Sequence, residues 1–174
     1  EIKEKIGYVP EGAPLYGEMT VMNFLKFIAD IRKIPKDKVN DAIHSAIKKL
    51  GLELVLYQQV ETLSKGYKRR VGLSQAIIHD PDVLILDEPT DGLDPNQKHE
   101  VRRLIKEMSS TKAIIISTHI LEEVDAVCTR AMIIAKGRMI VDKSPKDLLL
   151  GSPKGASLDD VFRTLTIGNS GDNK

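Results

Sequence analysis

The sequence carries, at positions 83–89, the run Val83-Leu84-Ile85-Leu86-Asp87-Glu88-Pro89. Its consecutive apolar residues are typical of a strand that is buried on both faces of a parallel sheet. The carboxylates of Asp87 and Glu88 then follow at the carboxyl end of that strand, where open α/β sheets bind ligands. Because two adjacent like charges are costly to desolvate, the pair indicates a Mg²⁺ site or an acid/base role. The alternative is a solvated loop after a core strand.

The elements that follow extend this strand into an α/β unit. Residues 113–116 form a second apolar run rich in β-branched side chains, which also predicts a strand buried on both faces. Between the two runs, Asp94 is expected to cap a helix that begins at Pro95, with the Gln97 side chain reaching back to the cap. Strand, helix and strand in this order predict a right-handed crossover between parallel strands.

Helical periodicity predicts a helical region before these strands. One helix is expected to begin after Thr20, a second to end at Gly51, and a third to cover residues 71–78 before Asp80-Pro81. After the second strand a short helix is expected through Leu121. Residues 131–142 are expected to form two antiparallel strands at the sheet edge, joined at Lys136-Gly137. A short helix over 157–165 and a polar tail over 168–174 are expected to follow.

Two further segments could meet a phosphate. Residues 63–67, Leu-Ser-Lys-Gly-Tyr, open a predicted helix, whose free N–H groups and positive dipole end suit an anion. Taken alone, this segment is an ordinary helix cap. His119 follows the second strand, and the crossover would bring it beside Asp87 and Glu88, within reach of a phosphate oxygen or a water. A single histidine after a strand is more often structural.

Composition limits the class of protein. The chain has 174 residues, enough for one domain, and its 26 Lys and Arg against 25 Asp and Glu disfavour non-specific binding along nucleic acid. Cys128 is the single cysteine and cannot form an internal disulfide, which suits a reducing cytosol. No apolar run approaches the roughly 18 residues of a transmembrane helix. Any link to a membrane is therefore expected to come from another segment or another chain.

These segments, in this order and spacing, resemble the ATP-binding cassette (ABC) family over about residues 6–145. Residues 63–67 look like the signature motif, with Lys and Tyr where Gly and Gln are usual. Residues 83–87 look like the Walker B strand, 91–94 the D-loop and 6–11 the Q-loop, with Glu11 in place of the usual Gln. The resemblance implies an α/β fold of the P-loop NTPase type, with a mostly parallel sheet flanked by helices and a helical subdomain.

The resemblance also implies roles for individual residues. Glu88 would be the catalytic carboxylate that polarises the attacking water, and His119 would contact the γ-phosphate of ATP. Asp87 and Glu11 would form the metal site for Mg²⁺, and Glu11 would signal to a membrane partner. Ser64 and Gly66 would contact ATP held by the opposite subunit of a head-to-tail dimer. The implied nucleotide-binding set is Glu11, Ser64, Lys65, Gly66, Tyr67 and Asp94.

The family's phosphate cradle, Gly-x-x-x-x-Gly-Lys-Ser/Thr, does not occur among these 174 residues. We therefore expect a fold truncated at the N-terminus, with a naturally degenerate cassette as the alternative. The expected division is an ABC ATPase domain over 1–150, comprising a helical subdomain over about 12–80 and part of the catalytic core over 81–150, then an extension and tail over 151–174. Such a fragment should expose apolar edges, self-associate and lack ATPase activity of its own.

Three features together are similar to cassettes of the ABC-2 exporter group, including gliding-motility-type ATPases: the Gly66-Tyr67 form of the signature, the Pro10-Glu11 form of the Q-loop and residues 92–97. That resemblance implies an ATP-hydrolysing subunit that works with a membrane-spanning permease, located in the cytoplasm on the inner face of the cell membrane. One alternative is a soluble ABC ATPase that acts on the ribosome or DNA. Another is a nucleotide-independent interaction module made from the helical region alone.

Overall fold

The computed structural model describes residues 2–12, 15–150, 152 and 155–168. It divides into two compact units, Glu1–Ser117 and Thr118–Lys174. Short 3-10 turns cover Ile2–Lys5, Glu53–Val55 and Val60–Thr62. The strands and helices in chain order are β1 (Ile6–Val9), α1 (Val21–Ile31), α2 (Val39–Leu50), α3 (Lys65–Ile77), β2 (Val83–Asp87), α4 (Pro95–Met108), β3 (Ala113–Ser117), α5 (Leu121–Val127), β4 (Ala131–Ala135), β5 (Arg138–Lys143), α6 (Pro145–Leu150) and α7 (Leu158–Gly168).

The first unit is built on a parallel sheet of order β1-β2-β3. Val83 pairs with Ile6 on one side and with Ala113 on the other, and the register stays regular to the strand ends. The parallel crossover between β2 and β3 through α4 is confirmed, and with it the α/β fold. The burial expected for residues 113–116 is wrong: β3 alternates between exposed and half-buried residues, and Ile115 is 54% exposed. Within the described residues β3 is an edge strand, paired with β2 on one side only, so its outer side lacks a neighbouring strand.

Local sequence signals place the helices of the first unit. The Thr20 hydroxyl accepts the Asn23 N–H at 3.2 Å and caps α1, as predicted. Gly51 ends α2 with the left-handed backbone (φ 59°, ψ 50°) that a residue without a Cβ adopts at little cost. α3 begins at Lys65 after its cap Ser64, so residues 63–67 open this helix as predicted, and it starts six residues before the apolar pattern at Val71.

One close approach joins β1 to α3. A Cβ added to Gly7 would lie 2.1 Å from the Ala76 carbonyl oxygen and 2.6 Å from Cδ2 of Leu84. Only glycine fits this position without moving the strand from the helix. Val9, Leu84 and Leu86 are fully buried in the same layer, so the sheet and α3 share one core.

The second unit contains a β-hairpin and three helices. β4 and β5 are antiparallel and connect through Lys136 (φ 51°) and Gly137 (φ 71°), the pair of positive φ angles that a tight two-residue hairpin turn requires. Arg130 binds Asp142 through two 2.5 Å hydrogen bonds that tie the two strands together. Within the described residues the hairpin forms a sheet of its own, so its expected place at the edge of the main sheet is wrong. α6 was not predicted.

Several apolar side chains are exposed on the strands. In addition to Ile115 of β3, exposed residues on the hairpin are Met132, Ile134 and Met139. Across the described ranges, no helix has the length and apolar character needed to cross a membrane. The domain boundaries expected at residues 80 and 150 stay predictions.

Candidate active site

The two carboxylates singled out by the sequence lie where β2 ends. Asp87 is the last residue of β2, and Glu88 follows it with a left-handed backbone (φ 47°). Ser117, at the end of β3, contacts both residues: its hydroxyl donates to Oδ1 of Asp87, and its carbonyl oxygen accepts the Glu88 N–H at 3.0 Å. The pairing of β2 with β3 therefore fixes both residues at the carboxyl edge of the sheet.

The chain turns after Glu88 and enters α4. The Asp91 N–H donates to the Glu88 carbonyl oxygen at 3.1 Å. Thr90, inside this turn, is 1% exposed, and its hydroxyl has no hydrogen-bond partner among the described residues. Asp94 caps α4 by accepting the Gln97 N–H at 3.0 Å, which confirms the predicted cap. A contact between Asp94 and nucleotide stays a prediction.

Arg69, on α3, is a site residue that sequence reasoning missed. Its guanidinium is buried and donates to four main-chain carbonyl oxygens: Nε to Pro89 at 3.3 Å, Nη1 to Pro10 at 3.2 Å, and Nη2 to Asp87 and Glu88. The helical pattern did not reveal it, because Lys68, Arg69 and Arg70 are consecutive basic residues and periodicity alone does not show which one turns inward.

The charge around Arg69 is mostly negative. Burial lowers the pKa of the Arg69 guanidinium, because a cation loses hydration there. Four nearby carboxylates act in the opposite direction, raising this pKa and favouring the charged guanidinium: those of Asp91, Asp87, Glu88 and Glu11. The structure therefore groups Glu11 with the carboxylates at the end of β2, around one buried cation.

Glu11 follows Pro10 in the turn after β1, and its side chain is exposed. The Pro10 carbonyl that receives the Arg69 bond anchors the start of this turn. Residues 13–14, farther along the same loop, lie outside the described residues. The predicted contact of Glu11 with Mg²⁺ and its signalling role stay predictions.

The segment expected to meet a phosphate forms the first turn of α3. Ser64 is exposed and accepts the Tyr67 N–H at 3.3 Å, so its hydroxyl already acts as the helix cap. The Tyr67 ring carries the Arg70 guanidinium 4.3 Å above its centroid, and Arg70 also donates to the Leu50 carbonyl oxygen at 3.1 Å. Tyr67 is thereby tied to the end of α2.

The same turn packs against the loop that follows Glu88. A Cβ on Gly66 would lie 2.2 Å from Oε1 of Gln97, so the Gln97 side chain covers the Gly66 backbone. Lys65 lies along Gly92, with its Cδ 3.3 Å from the Cβ position of that glycine. These contacts put residues 64–67 and 91–97 side by side in one chain, although contact of either with a nucleotide is untested.

His119 belongs to the second unit. The residue before it, Thr118, accepts the Ile120 N–H at 3.1 Å and donates to the Glu123 carboxylate at 3.0 Å. Glu123 is 2% exposed, so this network fixes the start of α5 within that unit. The expected approach of His119 to the γ-phosphate stays a prediction.

Comparison with known proteins decides the family. The family model described as "ABC transporter" matches residues 1–91, slightly more than half of the chain. The chain belongs to the ABC transporter family. It is 36% identical over 141 residues to the uncharacterized ABC transporter ATP-binding protein MJ1023 of Methanocaldococcus jannaschii, an alignment that covers 80% of this chain and 54% of that protein.

Two other similarities agree with this family. The linearmycin resistance ATP-binding protein LnrL of Bacillus subtilis is 33% identical over 84% of the chain and 47% of its own length. A solved structure described as the ATP binding subunit of an ABC transporter superposes with a TM-score of 0.82 at 28% identity, over 94% of this chain and 69% of that one. The ABC chain spans about half the length of the curated relatives it matches.

The end of β2 suits the metal that an ABC ATPase implies. In the described part of the chain no three His, Cys, Asp or Glu side chains are grouped as a metal site. Mg²⁺ in nucleotide sites needs only one or two carboxylates, since phosphate oxygens and waters complete its shell. Asp87, whose Oδ1 accepts a hydrogen bond from the Ser117 hydroxyl, supplies such a carboxylate at the end of β2.

Proposed function

We propose that this chain is part of the ATP-binding and ATP-hydrolysing subunit of an ABC transporter. The observation that carries the proposal is the end of β2, where Asp87 and Glu88 are fixed by Ser117 on one side and by Arg69 on the other. ATP hydrolysis of this type consists mostly of positioning and charge neutralisation. A rigid pair of carboxylates at the ligand-binding edge of a sheet suits that task.

Each residue has a defined part in the proposed reaction. Asp87 would hold Mg²⁺, which when bound would neutralise part of the phosphate charge. Glu88 accepts a hydrogen bond from the attacking water and orients it toward the γ-phosphorus. His119 donates a hydrogen bond to the γ-phosphate, and Glu11 responds to the metal and phosphate at the start of its loop.

The first turn of α3 serves the ATP of a second subunit in this proposal. The positive end of the α3 dipole lies beside Ser64, and Lys65 adds a positive side chain at the same exposed surface. Gly66 and Tyr67 complete the contact. Because the phosphate cradle is provided by the other subunit, the two subunits pack head to tail with ATP between them.

The nucleotide-bound dimer can be measured directly in the full-length protein. Glu88→Gln keeps the size of the side chain and removes its charge, so ATP should still bind while the bound dimer no longer breaks down. Light scattering with ATP and Mg²⁺ should show a stable dimer for Glu88→Gln. The exposed Glu107→Gln, which loses only a surface pair with Arg103, should behave like wild type. A Glu88→Gln protein that stays at its nucleotide-free mass contradicts the proposed dimer.

Residues 1–174 by themselves are proposed to be inactive. The sequence supplies the carboxylates and the surface offered to a partner's ATP, but not the Gly-x-x-x-x-Gly-Lys-Ser/Thr cradle. The exposed apolar residues of β3 and the hairpin, among them Ile115 and Ile134, should promote self-association. Mg²⁺-dependent ATP hydrolysis by the isolated 174-residue chain contradicts the proposed inactivity. A chain that stays monomeric at high concentration contradicts the proposed self-association.

The transporter is proposed to be an exporter of the ABC-2 group, with this subunit on the cytoplasmic face of the membrane beside a permease. The Pro10-Glu11 loop supports this, and so does the similarity to a protein named for linearmycin resistance. Purification of the full-length protein from native membranes tests it. Recovery with a six-helix membrane protein is expected, whereas recovery with ribosomes or DNA supports the soluble alternative.

A further inference from the structure

Arg69 is a buried cation whose hydrogen bonds all go to main-chain oxygens. It is 6% exposed, and its guanidinium donates to the carbonyls of Pro10, Asp87, Glu88 and Pro89. A charged group in such a place is stable only when oxygen dipoles replace its lost hydration. The planar fork of arginine can reach several oxygens at fixed angles, which a lysine cannot.

Three of those carbonyls belong to the residues at and around Glu88. The backbone of Glu88 is left-handed (φ 47°), a conformation that is disfavoured for a residue with a side chain. The Glu88 carbonyl also accepts the Asp91 N–H at 3.1 Å, and the Glu88 N–H is bound by Ser117. Arg69 therefore adds to the bonds that surround this disfavoured backbone conformation.

The fourth carbonyl lies in a different loop. Pro10 immediately precedes Glu11, and its oxygen lies 3.2 Å from Nη1 of Arg69. One side chain of α3 thus connects the turn after β1 with the turn after β2. The helix that carries Arg69 is also capped by Ser64, at the surface proposed to meet the partner's ATP.

We propose that Arg69 is a positioning residue for the Glu88 carboxylate, holding it at the place where it orients the attacking water. The inference rests on the proposed ATP hydrolysis. Arg69 has no contact with the reacting atoms in this scheme and acts through the peptide bonds on both sides of Glu88. Its hydrogen bond to the Pro10 carbonyl also holds the Glu11 loop at a fixed position relative to that carboxylate.

The test measures ATP hydrolysis by the full-length protein and separates kcat from KM. Arg69→Gln shortens the side chain and removes the fork, so kcat should fall about 100-fold, as for a misplaced catalytic group. KM for ATP should stay within about threefold, since no nucleotide contact is lost. Arg69→Lys keeps the charge and should recover part of the rate. Arg103→Gln, which breaks exposed pairs with Glu100 and Glu107 on α4, is the matched control and should leave both constants unchanged.

A double-mutant cycle decides whether Arg69 acts through Glu88. In the Glu88→Gln background, Arg69→Gln should lower the residual kcat by less than about threefold. The side chain at position 88 is already inactive there, so its displacement has little further effect on the rate. Full additivity of the two losses, or a loss confined to KM, overturns the inference. If Arg69→Gln does not fold, the same cycle with Arg69→Lys applies, and additivity there also overturns it.

The cycle separates this inference from the function it rests on. Hydrolysis that is absent in the wild type, or undiminished in Glu88→Gln, overturns the proposed function and the role of Arg69 together. A large loss in Glu88→Gln combined with a normal kcat in Arg69→Gln overturns only the role of Arg69.

Discussion

Replacing Gly7 with alanine tests the packing that brings β1 and α3 together. The new Cβ would lie 2.1 Å from the Ala76 carbonyl oxygen, whereas ordinary contact begins at 3.4 Å, so the two groups must separate by about 1.3 Å. The oxygen belongs to the α3 backbone and cannot rotate away. Leu84, 2.6 Å from the same Cβ, is fully buried.

The expected loss from Gly7→Ala is therefore at the upper end of the range for overpacked cores, about 3 kcal/mol. Gly12→Ala is a suitable control, because Gly12 has a positive φ (74°) and no described atom within 4 Å of its Cβ position. That variant should lose only about 1 kcal/mol through backbone strain. Urea denaturation monitored by circular dichroism gives both values from the midpoint and slope. A Gly7→Ala variant no less stable than Gly12→Ala would refute the close approach.

Two other predictions concern buried polar groups. Thr90→Val removes a buried hydroxyl that lacks a hydrogen-bond partner among the described residues, so the free energy of unfolding should stay equal or rise. A loss above about 1 kcal/mol would show that this hydroxyl does form a hydrogen bond. His79 bonds the Ile6 carbonyl at 3.2 Å, and burial, followed by the nearby Arg32 charge, lowers its pKa. The unfolded chain therefore takes up this proton first, and stability should fall as the pH drops below the ordinary value of 6.5 toward the folded pKa. His79→Gln should reduce this fall between pH 7.5 and 5.5, and an unchanged pH profile of the melting temperature would contradict it.

The parts of the fold that depend on neighbours in sequence could be predicted. The cap at Thr20, the end of α2 at Gly51 and the start of α4 at Asp94-Pro95 each arise from one or two residues with a local conformational preference. The apolar run of β2 and the carboxylates after it also predicted the candidate site, because the strand and the residues at its end are continuous in sequence.

The parts that depend on distant residues could not. Arg69 donates a hydrogen bond to Pro10, 59 residues away, and no sequence pattern in either segment predicts that contact. Ser117 binds Asp87 because β2 and β3 pair in one particular register. The exposure of β3 and the separate sheet of the hairpin depend on which strands pair with each other. Apolar composition alone does not determine this strand pairing.

The most direct measurement of the proposed function is Mg²⁺-dependent ATP hydrolysis by the full-length protein, compared between wild type and Glu88→Gln. Loss of a positioned acid/base group should lower kcat by a factor on the order of 10²–10⁴, with ATP binding retained. Glu107→Gln, measured in parallel, should keep the wild-type rate, since its pair with Arg103 is exposed. Near-wild-type hydrolysis by Glu88→Gln would contradict the assignment of the β2 end as the hydrolytic site.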